Sequence, residues 1–297
     1  MPKHHRHLSV AMALFLGLSC TSCLYTKRVI LRRGQKVTAG KAAPLLTATK
    51  EELNARIETI YKAINSFQAT VDMTPSIGSV YTGSITEVKD VRAYVLFRKP
   101  AEIHIIGLYP VVRTTAFDMV SNGMDFKVFL KAKNLFIEGS NSAPATSKNK
   151  LENLRPDAFL SSMLIRPAEN TETPALVDAT DEDNALYILY FARLGPNREF
   201  EGLDRAVWFD RTDLSLVRQT VYNDSGSLVS DTRYSKWMKY GTSNIDFPSH
   251  IDINRPLDGY GVVLSVVDMK MNAELANTQF VLDRPEGSQL QLIGEKR

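Results

Sequence analysis

Beyond Cys23 this 297-residue chain contains no cysteine. Its body therefore has no disulfide framework and no thiolate metal site, and packing alone must stabilise it. Long apolar runs are also missing: the longest, Leu8 to Leu18, would rise only about 16 Å as a helix, roughly half a bilayer core. Catalytic signatures are scarce too. There is no G-x-S-x-G, no H-E-x-x-H and no glycine-rich phosphate loop. Of the five histidines, His4, His5 and His7 precede that run, and His104 and His250 stand alone in strand-like segments, where they read as strand histidines and not as ligands. Asp178, Asp181, Glu182 and Asp183 lack the spacing of a calcium loop and read as a solvated turn. Acid is absent from one region: eight of the 36 basic residues precede Thr49, whereas none of the 33 acidic residues does.

What is present begins with Lys3, Arg6 and the apolar run, which closes in Ser19-Cys20-Thr21-Ser22-Cys23. This is the pattern of a secretion signal over residues 1–22, running into a cysteine that can take acyl chains. Cys20 and Cys23 are equal candidates for the lipid anchor. Neither is followed by Asp, the usual mark of inner-membrane retention, so the expected location is the outer membrane, facing the periplasm. Residues 23–48 then form a basic tether (Lys27, Arg28, Arg32, Arg33, Lys36, Lys41), suited to anionic headgroups or to giving the body reach. The near-neutral remainder excludes a nucleic-acid-binding balance.

From residue 49 to 297 a single mainly β (α+β) domain is expected. Thr49-Lys50-Glu51-Glu52 is a capping box, so a helix should start there. Leu53, Ile57, Ile60, Ile64 and Phe67 recur at helical spacing and form its apolar stripe. From Ala69 the period becomes two. Strand signals run through Gly83–Thr86, Arg92–Phe97, Ile103–Ile106, Thr114–Val120, Phe126–Leu130 and Leu135–Ile137, with Ser121-Asn122-Gly123 as the clearest tight turn. Gly139 to Lys150 is a loop of low hydrophobicity. A short helix follows with Pro156 in its first turn and Phe159, Leu160, Met163 and Leu164 on one face. Strands resume at Leu186–Ala192, Arg205–Asp210, Val217–Asn223, Thr232–Tyr240, Ser249–Asn254, Gly261–Met271 and Gln279–Leu282. Tyr234, Trp237 and Tyr240 read as cross-strand packing. The sum is a curved antiparallel sheet with two helices on one face.

Several stretches carry a resemblance. Asn65-Ser66-Phe67-Gln68-Ala69, the strand Tyr94 to Pro100 closing in Arg98-Lys99-Pro100, the hairpin Val120-Ser121-Asn122-Gly123, and the spacing of Asn272, Leu275, Phe280, Leu282, Pro285 and Gly287 together resemble the LolA/LolB lipoprotein-carrier superfamily, from about Leu53 to Leu290. That resemblance implies an antiparallel half-barrel with a helical lid over an apolar cavity for acyl chains of lipoproteins or lipids. It implies no catalysis, no cofactor and no metal, a monomer, and a periplasmic carrier protein as possible donor. The same fold serves envelope sensors and scaffolds, which stays open as the alternative. The lining or covering candidates are Leu53, Ile57, Ile60, Ile64, Phe159 and Met163. The family ties its lid with an Arg before the Pro; here Lys99 holds that place and Arg98 precedes it, so either is the latch candidate. Gly107-Leu108-Tyr109-Pro110-Val111-Val112 stands where the acceptor-type relative has a protruding loop. Pro110 breaks the ladder there, which makes Leu108, Tyr109, Val111 and Val112 membrane-transfer candidates.

Overall fold

The computed structural model describes residues 44–79, 81–143, 150–241 and 244–294. Cys20, Cys23, the leader and the tether as far as residue 43 lie outside the described residues. One compact unit spans Ala43–Asp181 and Ala185–Arg297; the other, Met1–Ala42 with Glu182–Asn184, consists almost wholly of residues outside that set.

Helix α1 (Lys50–Ala63) leads into β1 (Ser66–Ser79), and a hairpin returns the chain through β2 (Ser84–Glu87). A meander follows: β3 (Val91–Arg98), β4 (Glu102–Leu108), β5 (Thr115–Ser121), β6 (Asp125–Leu130) and β7 (Leu135–Ser140). After the crossing that contains α2 (Pro156–Met163), a second meander runs through β8 (Glu172–Asp178), β9 (Leu186–Leu194), β10 (Phe200–Asp210), β11 (Leu216–Tyr222), β12 (Leu228–Lys239), β13 (Asp246–Arg255) and β14 (Tyr260–Met271). The last strand is β15 (Gln289–Ile293). β1 joins the halves by pairing with β3 on one side and β14 on the other, in an open sheet ordered β15-β7-β6-β5-β4-β3-β1-β14-β13-β12-β11-β10-β9-β8.

Period-two patterning explains the buried face. Phe67, Ala69, Val71 and Met73 of β1 alternate inward and meet Phe97, Val95 and Ala93 of β3 in register. Phe67 stacks obliquely on Phe97 at 5.1 Å and on Phe247 of β13 at 5.9 Å, which places aromatic mass at the junction of the halves. Helix α2 packs against β4, β5 and β13, strands separated by β3, β1 and β14, so the sheet curves around it. Helix α1 packs against β8 and β9.

Four expectations are corrected. The helical stripe does not run to Phe67: α1 ends at Ala63, Ile64 is its extended C-cap, and Phe67 belongs to β1. Both residues stay fully buried, because a strand leaving a helix end can keep its inward side in the same core. Gln279–Leu282 is no strand; Asn277–Phe280 forms a 3₁₀ turn whose Gln279 side chain accepts from Ala276 N–H at 2.8 Å. The sheet is not wholly antiparallel, since β15 adds to β7 in parallel. β4 continues to Leu108, and β8 at the far edge carries Pro174, which an edge strand tolerates.

The pairing registers give the sheet two distinct ends. At one, the helix rim, α1 turns into β1, and the β3–β4, β10–β11 and β12–β13 turns gather. At the other, the hairpin rim, lie the β1–β2, β4–β5, β9–β10 and β13–β14 turns.

Candidate functional site

Helix α1 is tied at both ends and exposed along much of its length. Its capping box forms as the sequence implies: Glu52 N–H donates to Thr49 Oγ1 at 3.2 Å and Thr49 N–H to Glu52 Oε2 at 2.7 Å. Asn272, in the left-handed region at φ 52°, closes the other end. Its Oδ1 accepts from Asn65 N–H at 2.8 Å and its Nδ2 donates to Ala63 O at 2.9 Å. Lys99 reaches the same end, where its ammonium donates to Tyr61 O and lies 4.0 Å over the Tyr61 ring. Burial lowers the Lys99 pKa from its ordinary value. Arg98 points elsewhere. It pairs with Glu102 (Nε to Oε2, 2.7 Å), donates to Leu275 O at 2.8 Å and covers the Phe280 ring, so it holds the segment after β14 and does not touch α1.

Helix α2 is fastened more firmly. Tyr234 O–H donates to Ser162 O at 2.8 Å and Thr232 O–H to Ser162 Oγ at 3.2 Å, both buried. The strap behind it is clamped by charge. Arg205, buried, donates to both Glu172 oxygens (3.0 and 3.1 Å) and to the Arg166 and Pro167 carbonyls (2.8 and 3.0 Å). Arg166 forks onto the same carboxylate at 2.8 and 3.0 Å. Burial would raise the Glu172 pKa, but the two guanidiniums hold it at about 2. No motif flagged this clamp, because Arg205 lies 33 residues beyond Glu172 and only the pairing of β8, β9 and β10 brings the two together.

Beside α1 opens a groove of ≈ 600 Å³ at the helix rim. Ile60, Leu216, Trp237 and Ile245 are its apolar lining; Glu52, Arg56, Asp213, Asn244 and Asp246 are among its polar residues. Ile60, Leu216 and Trp237 also line a crevice of ≈ 20 Å³ with room for about one water, whose other residues include Ile57, Met163, Leu164, Tyr234 and Phe247. The groove thus shares a wall with a small apolar crevice. Among the six lining candidates, Ile57, Ile60 and Met163 line the crevice, whereas Leu53, Ile64 and Phe159 are buried in the core without lining it. The residues from β11, β12 and β13 were not named as lining beforehand. Trp237 and Tyr234 carried a signal as aromatics, yet only register turns them toward the helices, where Trp237 N–H donates to Leu216 O at 3.0 Å.

The β4–β5 hairpin lies at the opposite end of the strands. Leu108 is the half-buried last residue of β4, whereas Tyr109, Val111 and Val112 stand in the loop beyond it and are exposed, Val111 at 91%. Tyr109 N–H to Thr114 O (2.9 Å) and Arg113 N–H to Tyr109 O (3.0 Å) close the loop. On the other side of the same hairpin stem, His104 bridges two acceptors, Asp118 Oδ1 at 2.7 Å and Gln279 O at 2.5 Å. Burial works against its charge, but the Asp118 carboxylate and the Gln279 carbonyl outweigh it and raise the pKa. Among the described residues no cluster of His, Cys, Asp and Glu could hold a metal ion, and no helix is long and apolar enough to cross a membrane.

This mostly β, open curved sheet with two helices is consistent with a LolA-like fold. The chain resembles the crystal structure of a LolA superfamily protein from Nitrosomonas europaea (TM-score 0.50, 16% identity, covering 80% of this chain and 99% of that one). A DUF1329 family protein from Desulfovibrio piger (TM-score 0.49, 16% identity, 78% and 95%) and an outer membrane lipoprotein-sorting protein domain from Vibrio parahaemolyticus (0.48, 13%, 78% and 97%) also align. At such identities the likeness establishes the fold. No protein-family model and no curated relative matches the chain.

Proposed function

We propose that this protein is a non-catalytic, lipid-anchored envelope protein of the outer membrane that takes acyl chains of lipoproteins or lipids into the groove beside α1. The observation that carries the reading is the wall shared by the groove and the small apolar crevice: Ile60 on the helix, Leu216 and Trp237 on the sheet. Its ≈ 600 Å³ falls within the range of about 300–1,000 Å³ usual for small-molecule sites. An acyl chain laid on Ile60 and Trp237 and pressed inward would part α1 from the sheet, exchanging helix contacts for chain contacts. Each buried CH₂ contributes about 0.8 kcal/mol, so a modest difference in buried length gives exchange with a periplasmic carrier its direction. α2, hydrogen-bonded to β12 and clamped through Glu172, stays in place while α1 moves. The exposed Tyr109-Pro110-Val111-Val112 tip is suited to handing chains to the bilayer.

Titration with a fluorescent acyl probe tests the groove. Native protein should bind saturably and Ile60→Asp should lose at least about tenfold in affinity, the worth of roughly two CH₂ groups. Equal binding by both proteins removes the groove from the reading. A second reading, an envelope sensor or scaffold on the same fold, draws on the small volume of the crevice, which admits about one water. Absence of any acyl species on protein purified from membranes, together with no probe binding, favours that reading. Replacing both Cys20 and Cys23 by Ser should release the body from the membrane; persistent integral association would contradict the anchor.

A further inference from the structure

The hairpin rim carries more exposed apolar side chains than the β4–β5 tip alone. β2 continues the lane of β3 alongside β1: Ser79 pairs with Ser84, and Val88 N–H donates to Pro75 O at 2.7 Å. β4 stops at Leu108, opposite Arg92, so the β1–β2 hairpin projects past it with the β4–β5 tip at its flank. On its other flank Gly78 N–H donates to Gly259 O at 2.9 Å, which brings the β13–β14 turn alongside. Three neighbouring turns therefore present Tyr81 (64% exposed) and Ile85 (56%), Val111 (91%) and Val112 (66%), and Leu257 (48%).

We infer that these three turns of the hairpin rim form a bilayer-facing surface, with the β1–β2 hairpin as a second apolar wedge beside the β4–β5 tip and the β13–β14 turn at its edge. This rests on the proposed envelope function but does not depend on the groove. Among the described residues each turn satisfies part of its own backbone, while the outer edge of β2 meets no strand. Thr82 N–H donates to Ser79 O at 3.1 Å, Ser79 N–H to Thr82 Oγ1 at 2.9 Å and Tyr81 N–H to Ser79 Oγ at 3.2 Å. The other two turns close internally as well, through Arg113 N–H to Tyr109 O and Gly259 N–H to Arg255 O, both at 3.0 Å. Such closure matters little in water and much in lipid, where an unpaired amide is costly. Each of the two hairpins also combines aliphatic side chains with a Tyr, whose apolar ring and polar tip suit the headgroup boundary. Side chains on separate, projecting tips fit a fluid phase better than the flat, close-packed face of a protein partner.

Charge decides the kind of membrane contact. Lys89, Arg113 and Lys150, which lies against Gly259, face Glu87 and Asp90, and Asp258 is paired with Arg255 at 2.5 Å, so these three turns are close to neutral. Apolar insertion, not attraction to anionic lipid, holds them. The full chain reconstituted in vesicles of brominated phosphatidylcholine provides the test, using Ile85→Trp, Val111→Trp and, as an exposed strand control, Val267→Trp. Bromines just below the headgroups should quench the first two at least about twofold more than the control, above the background of Trp208 and Trp237, with little change on adding salt or anionic lipid. Quenching of Val111→Trp without Ile85→Trp overturns the inference and leaves a single transfer hairpin. Quenching of neither overturns it as well, while acyl binding at the groove stands or falls by its own titration. Quenching that needs anionic lipid refutes the apolar wedge.

Discussion

Lys99→Met offers the sharpest trial of α1 as the moving element. The ammonium donates to Tyr61 O in the last turn of the helix and lies 4.0 Å over the Tyr61 ring, and Met keeps most of the apolar stem while removing both interactions. A hydrogen bond from a charged group is worth about 1.5–3 kcal/mol and a cation–π contact about 0.5–1 kcal/mol at exposed sites. Burial that lowers the Lys99 pKa opposes the charge, which keeps the sum near the low end, about 2 kcal/mol. Removing that much from the docked state raises the released fraction of α1 by roughly 30-fold. Because acyl chains compete with α1 for the sheet residues Leu216 and Trp237, apparent affinity for an acyl probe should tighten by up to the same factor. Hydrogen exchange over Lys50–Ala63 should quicken correspondingly, with β1 and β14 unchanged. Lys99→Arg, which keeps the charge and adds donors, should retain native protection. The reasoning fails if Lys99→Met loosens the sheet as much as the helix, or if faster exchange in α1 comes with weaker probe binding.

Three further outcomes follow from the geometry. Glu172→Gln leaves Arg205 buried with its charge uncompensated and should cost about 3–5 kcal/mol in denaturant unfolding, whereas the apolar pair Glu172→Leu with Arg205→Met should cost clearly less. Because the Glu172 pKa is depressed, its contribution is fully present above the unfolded value of about 4.3 and disappears as pH falls toward 2; an acid-unfolding curve in which wild type and Glu172→Leu/Arg205→Met run in parallel would refute it. For His104 the sign reverses. Its pKa is raised, so the tie to Asp118 and Gln279 O stabilises fully below about pH 6.5 and is lost as pH rises through the folded value, which NMR titration of the imidazole and pH-dependent melting of His104→Ala would check. Val111→Glu, at an almost wholly exposed position, should change stability by less than about 0.5 kcal/mol and still reduce delivery of acyl chains to vesicles; a large loss of stability would show the hairpin packed.

How much of this was legible beforehand depended on the range of the interactions involved. The α1 start was readable because Thr49 and Glu52 act on each other across three residues, and Phe67, Ala69, Val71 and Met73 declare their strand by alternation alone. Similarly, Asn122 and Gly123 state a tight turn, which the Asn122 side chain completes by accepting from Asp125 N–H at 2.8 Å. The order of the four resembling stretches was enough to indicate a mostly β, curved sheet of the LolA-like kind. Local pattern failed at the ends of elements. Ile64 and Phe67 fit a helical period, but Asn272, more than two hundred residues on, takes the amides that end α1. Gln279–Leu282 has strand composition, yet no open edge is beside it, whereas Gln289–Ile293 meets β7 and pairs.

The site divides in the same way. Residue types on α1 and α2 determined which faces are apolar, and Pro110 determined that the β4–β5 connection opens into a loop. Only the tertiary structure decided that Lys99, in the turn after β3, and not Arg98, the last residue of β3, reaches α1. It also decided which β11–β13 side chains face the helices, that Arg205 and Arg166 converge on Glu172, and that the groove and the exposed hairpins occupy opposite ends of the strands. Each of these depends on pairing between segments distant in sequence. Such pairing is set by the combined burial of the whole sheet, and no short stretch of residues encodes it.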